Sequence, residues 1–256
     1  MSSAPSPFVW YELMTTDTAA ALRFYQAVLG WTAQPHPGAP PDSPYLILSK
    51  DGRGLGGLMT LPPDCGPEAR PGWVGYIGVE DVDAVAARIA ETGGAVHKGP
   101  QDIPGVGRFA AVSDPSGAVF MIIAPIGQAP EPAAPNTPGL PGWRELYAAE
   151  GEAAMAYYAD LFGWTQVDTH DMGPMGLYRL FAAGAEPIGG VMTRPPAVPV
   201  ACWNYYFNVE SVDAAVTLIQ AAGGEVLNGP HQVPGPMWIA QCRDPQGAEF
   251  AVVGAQ

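Results

Sequence analysis

Two carboxylates, Glu12 and Glu145, each stand two residues after a tryptophan, Trp10 and Trp143, in segments that repeat one another. A glutamate set among aromatic and aliphatic residues in an extended segment is costly to bury unless it is hydrogen-bonded. Its carboxylate can be satisfied by a tyrosine or backbone partner, can accept from a ligand, or can act as a general base of raised pKa. Glu12 and Glu145 are therefore the candidate catalytic residues, although no second catalytic group is placed beside them. The histidines His36, His97, His170 and His231 have no histidine at the repeat-equivalent positions, and no H-x-H or C-x-x-C pair occurs. They read as solvated or hydrogen-bonded. Cys65, Cys202 and Cys242 form an odd set without regular spacing, which argues against a disulfide framework. Cys65 falls in a proline-rich loop, and nothing near it in sequence would lower its pKa.

The elements that must position these groups begin with Trp10–Trp31, WYELMTTDTAAALRFYQAVLGW, which returns as Trp143–Trp164, WRELYAAEGEAAMAYYADLFGW, identical at 8 of 22 positions. Each copy reads as a strand, a capped turn and an amphipathic helix. Thr16 or Asp17 can cap the first helix, and Glu150 is the weaker candidate for the second. Ala21, Phe24, Tyr25 and Val28 follow the spacing of a buried helical face, as do Ala154, Tyr157, Tyr158 and Leu161. Gly30 and Gly163 close the helices. His36–Ser43 reads as a loop, Tyr45–Lys50 and Leu55–Thr60 as strands joined by an Asp51-Gly52 hairpin turn, and Leu61–Gly72 as a proline-rich loop. A second unit follows: a strand at Trp73–Glu80, a helix capped by Asp81, and further strands with an Asp114-Pro115-Ser116-Gly117 turn. The second half replays the first: Gly56–Thr60 matches Gly189–Thr193, Val79–Ala84 matches Val209–Ala214, and Asp114–Ala118 matches Asp244–Ala248. The offset is 133 residues early and 130 late. Duplication thus divides the chain into domains at 6–125 and 142–254, separated by a Pro/Ala-rich linker at 126–141 with little that could pack.

Composition narrows the function classes. Formal charge is −14 over 256 residues, −5 in residues 1–128 and −9 in residues 129–256, without a Lys/Arg cluster. Nucleic acid and anionic membrane are therefore not expected partners. The N-terminal MSSAPSPFVW lacks the basic and apolar regions of a secretory signal, and the cytoplasm is the expected compartment.

The pattern Asp-x(6)-Phe/Tyr-Tyr-x(4)-Gly-Trp in the first helix, the Val-Asp-Ala opening of the second helix and the Asp-Pro-x-Gly turn resemble the vicinal oxygen chelate superfamily. That superfamily includes glyoxalases, bleomycin-resistance proteins and extradiol dioxygenases. The resemblance extends to its two-domain, actinobacterial-type members. It implies an α+β fold of four βαβββ modules, in curved mixed sheets with helices outside and pockets on the concave side. It also implies an internal pseudo-dimer, so that the chain is expected as a monomer or weak homodimer. Catalytic members hold a divalent metal as a Lewis acid. The ligand positions fall here on Trp10 and Trp143, on the strands Gly56–Leu58 and Gly189–Val191, on Val74 and Asn204, and on Met121 and Ala251. These offer indole, alkyl, thioether and amide groups, so no metal and no cofactor is expected. Strand alternation places Trp10, Glu12, Tyr76, Met121, Trp143, Glu145, Asn204, Tyr206 and Glu249 on the concave faces as ligand-binding candidates. Alternatively, Trp10 and Trp143 plug the old metal cavity and complete a core. The leading expectation is a metal-free protein that binds a small metabolite or antibiotic. The alternative is a lyase, isomerase or hydroxylase-like enzyme acting on a small carbonyl or aromatic substrate.

Overall fold

Helix ends and hairpins follow local chemistry. In the computed structural model, which describes residues 5–39, 44–66, 69–127 and 133–256, Asp17 caps helix α1 (Thr18–Leu29) by accepting from Ala20 N. Gly30 closes it in the left-handed region at φ 68°. Asp81 and Ser211 cap α2 (Val82–Glu91) and α4 (Val212–Ala221) in the same way. Glu150 makes no side-chain cap for α3 (Gly151–Phe162). Asp51 and Gly52 both take positive φ, which turns β3 (Tyr45–Lys50) into β4 (Arg53–Thr60). The first helix buries Ala21, Phe24, Tyr25 and Val28 as its spacing predicts. The second copy differs: α3 buries Met155 and Phe162, leaving Tyr157 and Leu161 half-buried, because its face is rotated toward Ala154, Met155 and Tyr158.

The remaining strands are β1 (Phe8–Thr15), β2 (Thr32–Pro35), β5 (Gly72–Gly78), β6 (Ala95–Ile103), β7 (Gly107–Ser113) and β8 (Val119–Pro125) in the first repeat. The second repeat carries β9 (Pro141–Ala148), β10 (Thr165–Asp171), β11 (Leu177–Ala182), β12 (Pro187–Thr193), β13 (Cys202–Ser211), β14 (Glu225–Gln232), β15 (Trp238–Arg243) and β16 (Glu249–Ala255). The short strand β2 is absent from the sequence reading. The strands form two eight-stranded mixed sheets with the helices outside, ordered β2-β3-β4-β1-β5-β8-β7-β6 and β10-β11-β12-β9-β13-β16-β15-β14. The pairs β1–β4, β5–β8, β9–β12 and β13–β16 are parallel, and the remaining paired strands whose register is defined are antiparallel.

By packing, the chain forms two compact units that each combine a module from both repeats. One comprises Met1–Val9, Gly75–Glu131 and Arg144–Asn204; the other comprises Trp10–Val74, Pro132–Trp143 and Tyr205–Gln256. A buried Trp–Tyr–Asp chain explains the exchange. Asp244 Oδ1 accepts from the N–H groups of Gln246 and Ala248, each at 2.9 Å, and fixes the Asp-Pro turn. Its Oδ2 accepts from the Tyr25 hydroxyl at 3.2 Å, and Trp73 Nε1 donates to Tyr25 Oη at 2.9 Å. The other unit repeats this with Trp203, Tyr158 and Asp114. The helix of one repeat thus satisfies the buried turn carboxylate of the other, which would be costly unpaired.

The linker departs from expectation at its C-terminal end. Residues 128–132 of the linker lie outside the described residues, as do 40–43 and 67–68 of the two proline-bearing loops. The following stretch packs. Leu140 is buried, Trp31 Nε1 donates to Gly139 O at 2.7 Å, and Asn208 exchanges backbone hydrogen bonds with Gly139 and Leu140. An indole and a strand edge with unmet backbone groups supply the partners that the linker composition alone did not reveal. No helix among the described residues is long and apolar enough to cross a membrane.

Candidate functional site

The opening strands of the first repeat bring Glu12 beside Gly57, since β1 and β4 pair in parallel with Glu12 opposite Gly57. Glu12 is buried at 5% exposure. Gly57 lacks the side chain that would fill this face, and Tyr45 from β3 lies there instead: a methyl at Gly57 would overlap the Tyr45 hydroxyl. Trp10 Nε1 donates to Tyr45 Oη at 2.9 Å, and Tyr45 in turn hydrogen-bonds to Glu12. Burial first, and then the adjacent Glu12 charge, hold the Tyr45 phenol well above its ordinary range, so it stays protonated as a donor. Trp10, Tyr45 and Glu12 therefore form one polarised chain ending on a carboxylate.

The second repeat carries the same residue types 133 residues on and repeats the glutamate–glycine–tyrosine placement. Glu145, 7% exposed, stands opposite Gly190 across β9 and β12, and a methyl at Gly190 would overlap the Tyr178 ring. Trp143 is half-buried at the corresponding position of β9. Tyr45 and Tyr178 were missed by sequence reasoning, although both recur at the same offset as the glutamates and glycines, and that common offset is the signal that could have found them.

The closing strands place the other candidates. In the first repeat, Tyr76 pairs with Met121 and Met121 with Ala111, so these side chains share one face, where the Tyr76 ring lies 6.5 Å from that of Phe109. In the second, Tyr206 pairs with Ala251 and Ala251 with Gln241, and Gln241 Nε2 donates to Tyr206 Oη at 2.9 Å. Asn204 and Asn208 lie two residues to either side of Tyr206 on the same strand face. Glu249 is placed differently from its neighbours: it sits at the exposed start of β16 and pairs with Arg243 at 2.8 Å, which also holds Glu225 at 3.1 Å.

The positions where the resemblance places metal ligands hold Trp10, the strand Gly56–Leu58, Val74 and Met121 in the first repeat, and Trp143, the strand Gly189–Val191, Asn204 and Ala251 in the second. None is a carboxylate, imidazole or thiolate. Among the described residues no three His, Cys, Asp or Glu side chains converge as a metal would require. His97 Nε2 lies 2.9 Å from Ser113 Oγ, His170 lies 3.8 Å from Asp168, and His36 stands edge-on to Tyr45 with ring centres 6.2 Å apart. A recess of about 290 Å³ lies on the helical side, lined by Ala20, Arg23, Phe24, Ala222, Pro245 and Gln246. It contains none of the candidates.

Four βαβββ modules in two eight-stranded mixed sheets with the helices outside define the class of fold. The family model of the Glyoxalase/Bleomycin resistance protein/Dioxygenase superfamily matches residues 8–122 and 142–252, and the chain belongs to that superfamily. Among curated relatives, a Mycobacterium tuberculosis protein named "Putative glyoxylase CFP32" is 33% identical over 95% of this chain and 93% of its own length. The anthracycline biosynthesis protein DnrV of Streptomyces peucetius is 32% identical over 98% of this chain and 94% of its own. Among solved structures, the Mn(II)-bound glyoxalase from Novosphingobium aromaticivorans matches at TM-score 0.65 with 17% identity, covering 98% of this chain and 82% of that one. The 2,2',3-trihydroxybiphenyl 1,2-dioxygenase of Sphingomonas wittichii strain RW1 matches at TM-score 0.66 with 14% identity, covering 99% and 91%. The structural likenesses establish the shared fold.

Proposed function

We propose that this chain binds a planar, oxygen-bearing aromatic metabolite on the concave faces of its sheets, without a divalent metal. The observation that carries this reading is the substitution at the second ligand position. Gly57 and Gly190 lie in the strands from which the second ligand would come, and Tyr45 and Tyr178 occupy the space a side chain there would take. The other ligand positions offer indole, alkyl, thioether and amide groups, which bind hard cations poorly. Tyrosine and tryptophan rings around a hydrogen-bonded carboxylate suit a mostly apolar ligand with few polar groups. Relatives named for anthracycline biosynthesis are in keeping with an aromatic polycycle.

Untagged protein should contain far less than one equivalent of Fe, Ni, Zn or Mn by elemental analysis, and a stoichiometric metal would overturn the metal-free part of the reading. Tryptophan quenching by 2,6-dihydroxyanthraquinone tests the ligand class. Saturable binding that survives Glu12→Gln and Glu145→Gln supports a binder.

A second reading, a lyase or isomerase acting on a small carbonyl compound, draws on one specific observation. The Trp10–Tyr45–Glu12 chain sets a protonated phenol against a carboxylate, as acid–base chemistry would require. On that reading Glu12→Gln and Glu145→Gln abolish turnover rather than leave affinity intact.

A further inference from the structure

The two repeats present different chemistry on the faces of their closing strands. In the first repeat, Tyr76, Gly78, Ala111 and Met121 line the face; 130 residues on, the second repeat carries Tyr206, Asn208, Gln241 and Ala251. An alanine in place of Met121 leaves open the position between Tyr206 and Gln241, which lie in one row across β13, β16 and β15. Over that alanine Gln241 Nε2 reaches Tyr206 Oη at 2.9 Å, while Gln241 Oε1 accepts from Asn228 Nδ2 at 3.2 Å. The row is thus an ordered hydrogen-bond ladder where the first repeat has a thioether.

Asn208 stands two residues beyond Tyr206 on the same face. It is 3% exposed, and its buried Oδ1 has no hydrogen-bond partner. Gly142 makes room for it, since a methyl there would overlap Asn208 Oδ1. Asn204 Oδ1, on the same strand face, is likewise buried without a partner. Buried amide oxygens are almost always satisfied in folded proteins, so an orphaned one beside an ordered polar row asks for a donor from outside the chain.

Resting on the small-molecule reading above, we propose that the Tyr206–Asn208–Gln241 face is a hydrogen-bonding subsite for the hydroxyl-bearing edge of an aromatic ligand. Asn208 Oδ1 accepts from a ligand hydroxyl, and the Tyr206–Gln241 pair flanks it. The Tyr76–Met121–Ala111 face of the first repeat takes an unsubstituted ring. One chain therefore carries two subsites of different preference.

The test compares 2,6-dihydroxyanthraquinone, whose hydroxyls are free to donate, with anthraquinone. Asn208→Ala and Gln241→Ala are each expected to weaken the dihydroxy compound about tenfold, the value of one well-placed hydrogen bond, and to leave anthraquinone within about twofold. In the unmodified protein the side-chain amide resonances of Asn208 should shift with the dihydroxy compound and not with anthraquinone, a readout independent of how the variants fold. Equal loss for both compounds, no loss, or unmoved amides while both bind would overturn the subsite and leave the binding function standing. Failure of both compounds to bind would overturn the aromatic-ligand reading and the subsite together.

Discussion

Replacing Gly57 by alanine probes how the chain has filled the second ligand position. The added methyl would overlap the Tyr45 hydroxyl and ring, so the ring has to leave. Two hydrogen bonds go with it, from Trp10 to Tyr45 and from Tyr45 to Glu12, each worth about 1 kcal/mol net. Glu12 then loses a donor in a buried setting, a further cost of about 1–3 kcal/mol. Against this, alanine in a strand recovers about 0.5–1 kcal/mol of the entropy that glycine loses on folding. The balance is a destabilisation of about 2–4 kcal/mol. At about 2–4 °C per kcal/mol for a domain of this size, the melting transition drops by roughly 4–16 °C. The decisive measurement is a double-mutant cycle in urea. Tyr45→Ala removes the obstacle, so the double variant Gly57→Ala/Tyr45→Ala should be less destabilised than the sum of the two single variants by about 3–5 kcal/mol, the cost of displacing Tyr45. A single Gly57→Ala variant as stable as the parent, or single costs that simply add, would refute the placement of Tyr45 over Gly57.

Other outcomes follow from the same structure. Gly190→Ala should behave as Gly57→Ala does, with Tyr178→Ala relieving it in the double variant; a neutral Gly190→Ala would show that the second repeat does not share the arrangement. Burial raises the carboxyl pKa of Asp114 and Asp244 against the backbone and tyrosine hydrogen bonds that lower it. A carboxyl raised in the folded state stabilises below its unfolded pKa and loses that contribution as pH rises through the folded value. Asp244→Asn, which cannot ionise, should therefore gain on the parent chain as pH rises above the ordinary carboxylate range of about 4, and urea midpoints that keep a constant gap would contradict this. Burial pushes the Cys242 thiol up to about 12, while Cys65 is exposed. Iodoacetamide should therefore alkylate Cys65 in the folded protein and Cys242 only on unfolding, as mass spectrometry of timed samples would report. Adding Mn, Ni or Zn should leave the melting transition unmoved, and a rise of several degrees at micromolar metal would contradict the metal-free proposal.

The local elements were legible because each rests on short-range chemistry. Asp17 and Asp81 cap where an oxygen can meet exposed N–H groups, Gly30 and Gly163 take the left-handed turn, and the period of Ala21, Phe24, Tyr25 and Val28 is that of a buried helical face. The repeat showed the tandem architecture, and strand alternation put Glu12 in step with Trp10. Alternation also kept Glu249 in step with Ala251, and it did not show that Glu249 lies at the exposed start of its strand in an ion pair with Arg243. Tyr45 and Tyr178 escaped because their role depends on glycines in neighbouring strands, and strand pairing is not a property of either segment alone.

The amino-acid order alone determined that two like halves exist, where their helices and turns begin and end, and which residue types stand where the family resemblance places ligands. These depend on dihedral preference, hydrogen bonds within a few residues and periodicity. Only the tertiary structure decided that Tyr25 answers to Asp244 and Tyr158 to Asp114, and that a tyrosine hydroxyl fills the space left by Gly57. It also decided that Asn208 keeps a buried oxygen without a partner. Each of these brings together atoms from distant segments, where burial sets the cost of every polar group left without a neighbour.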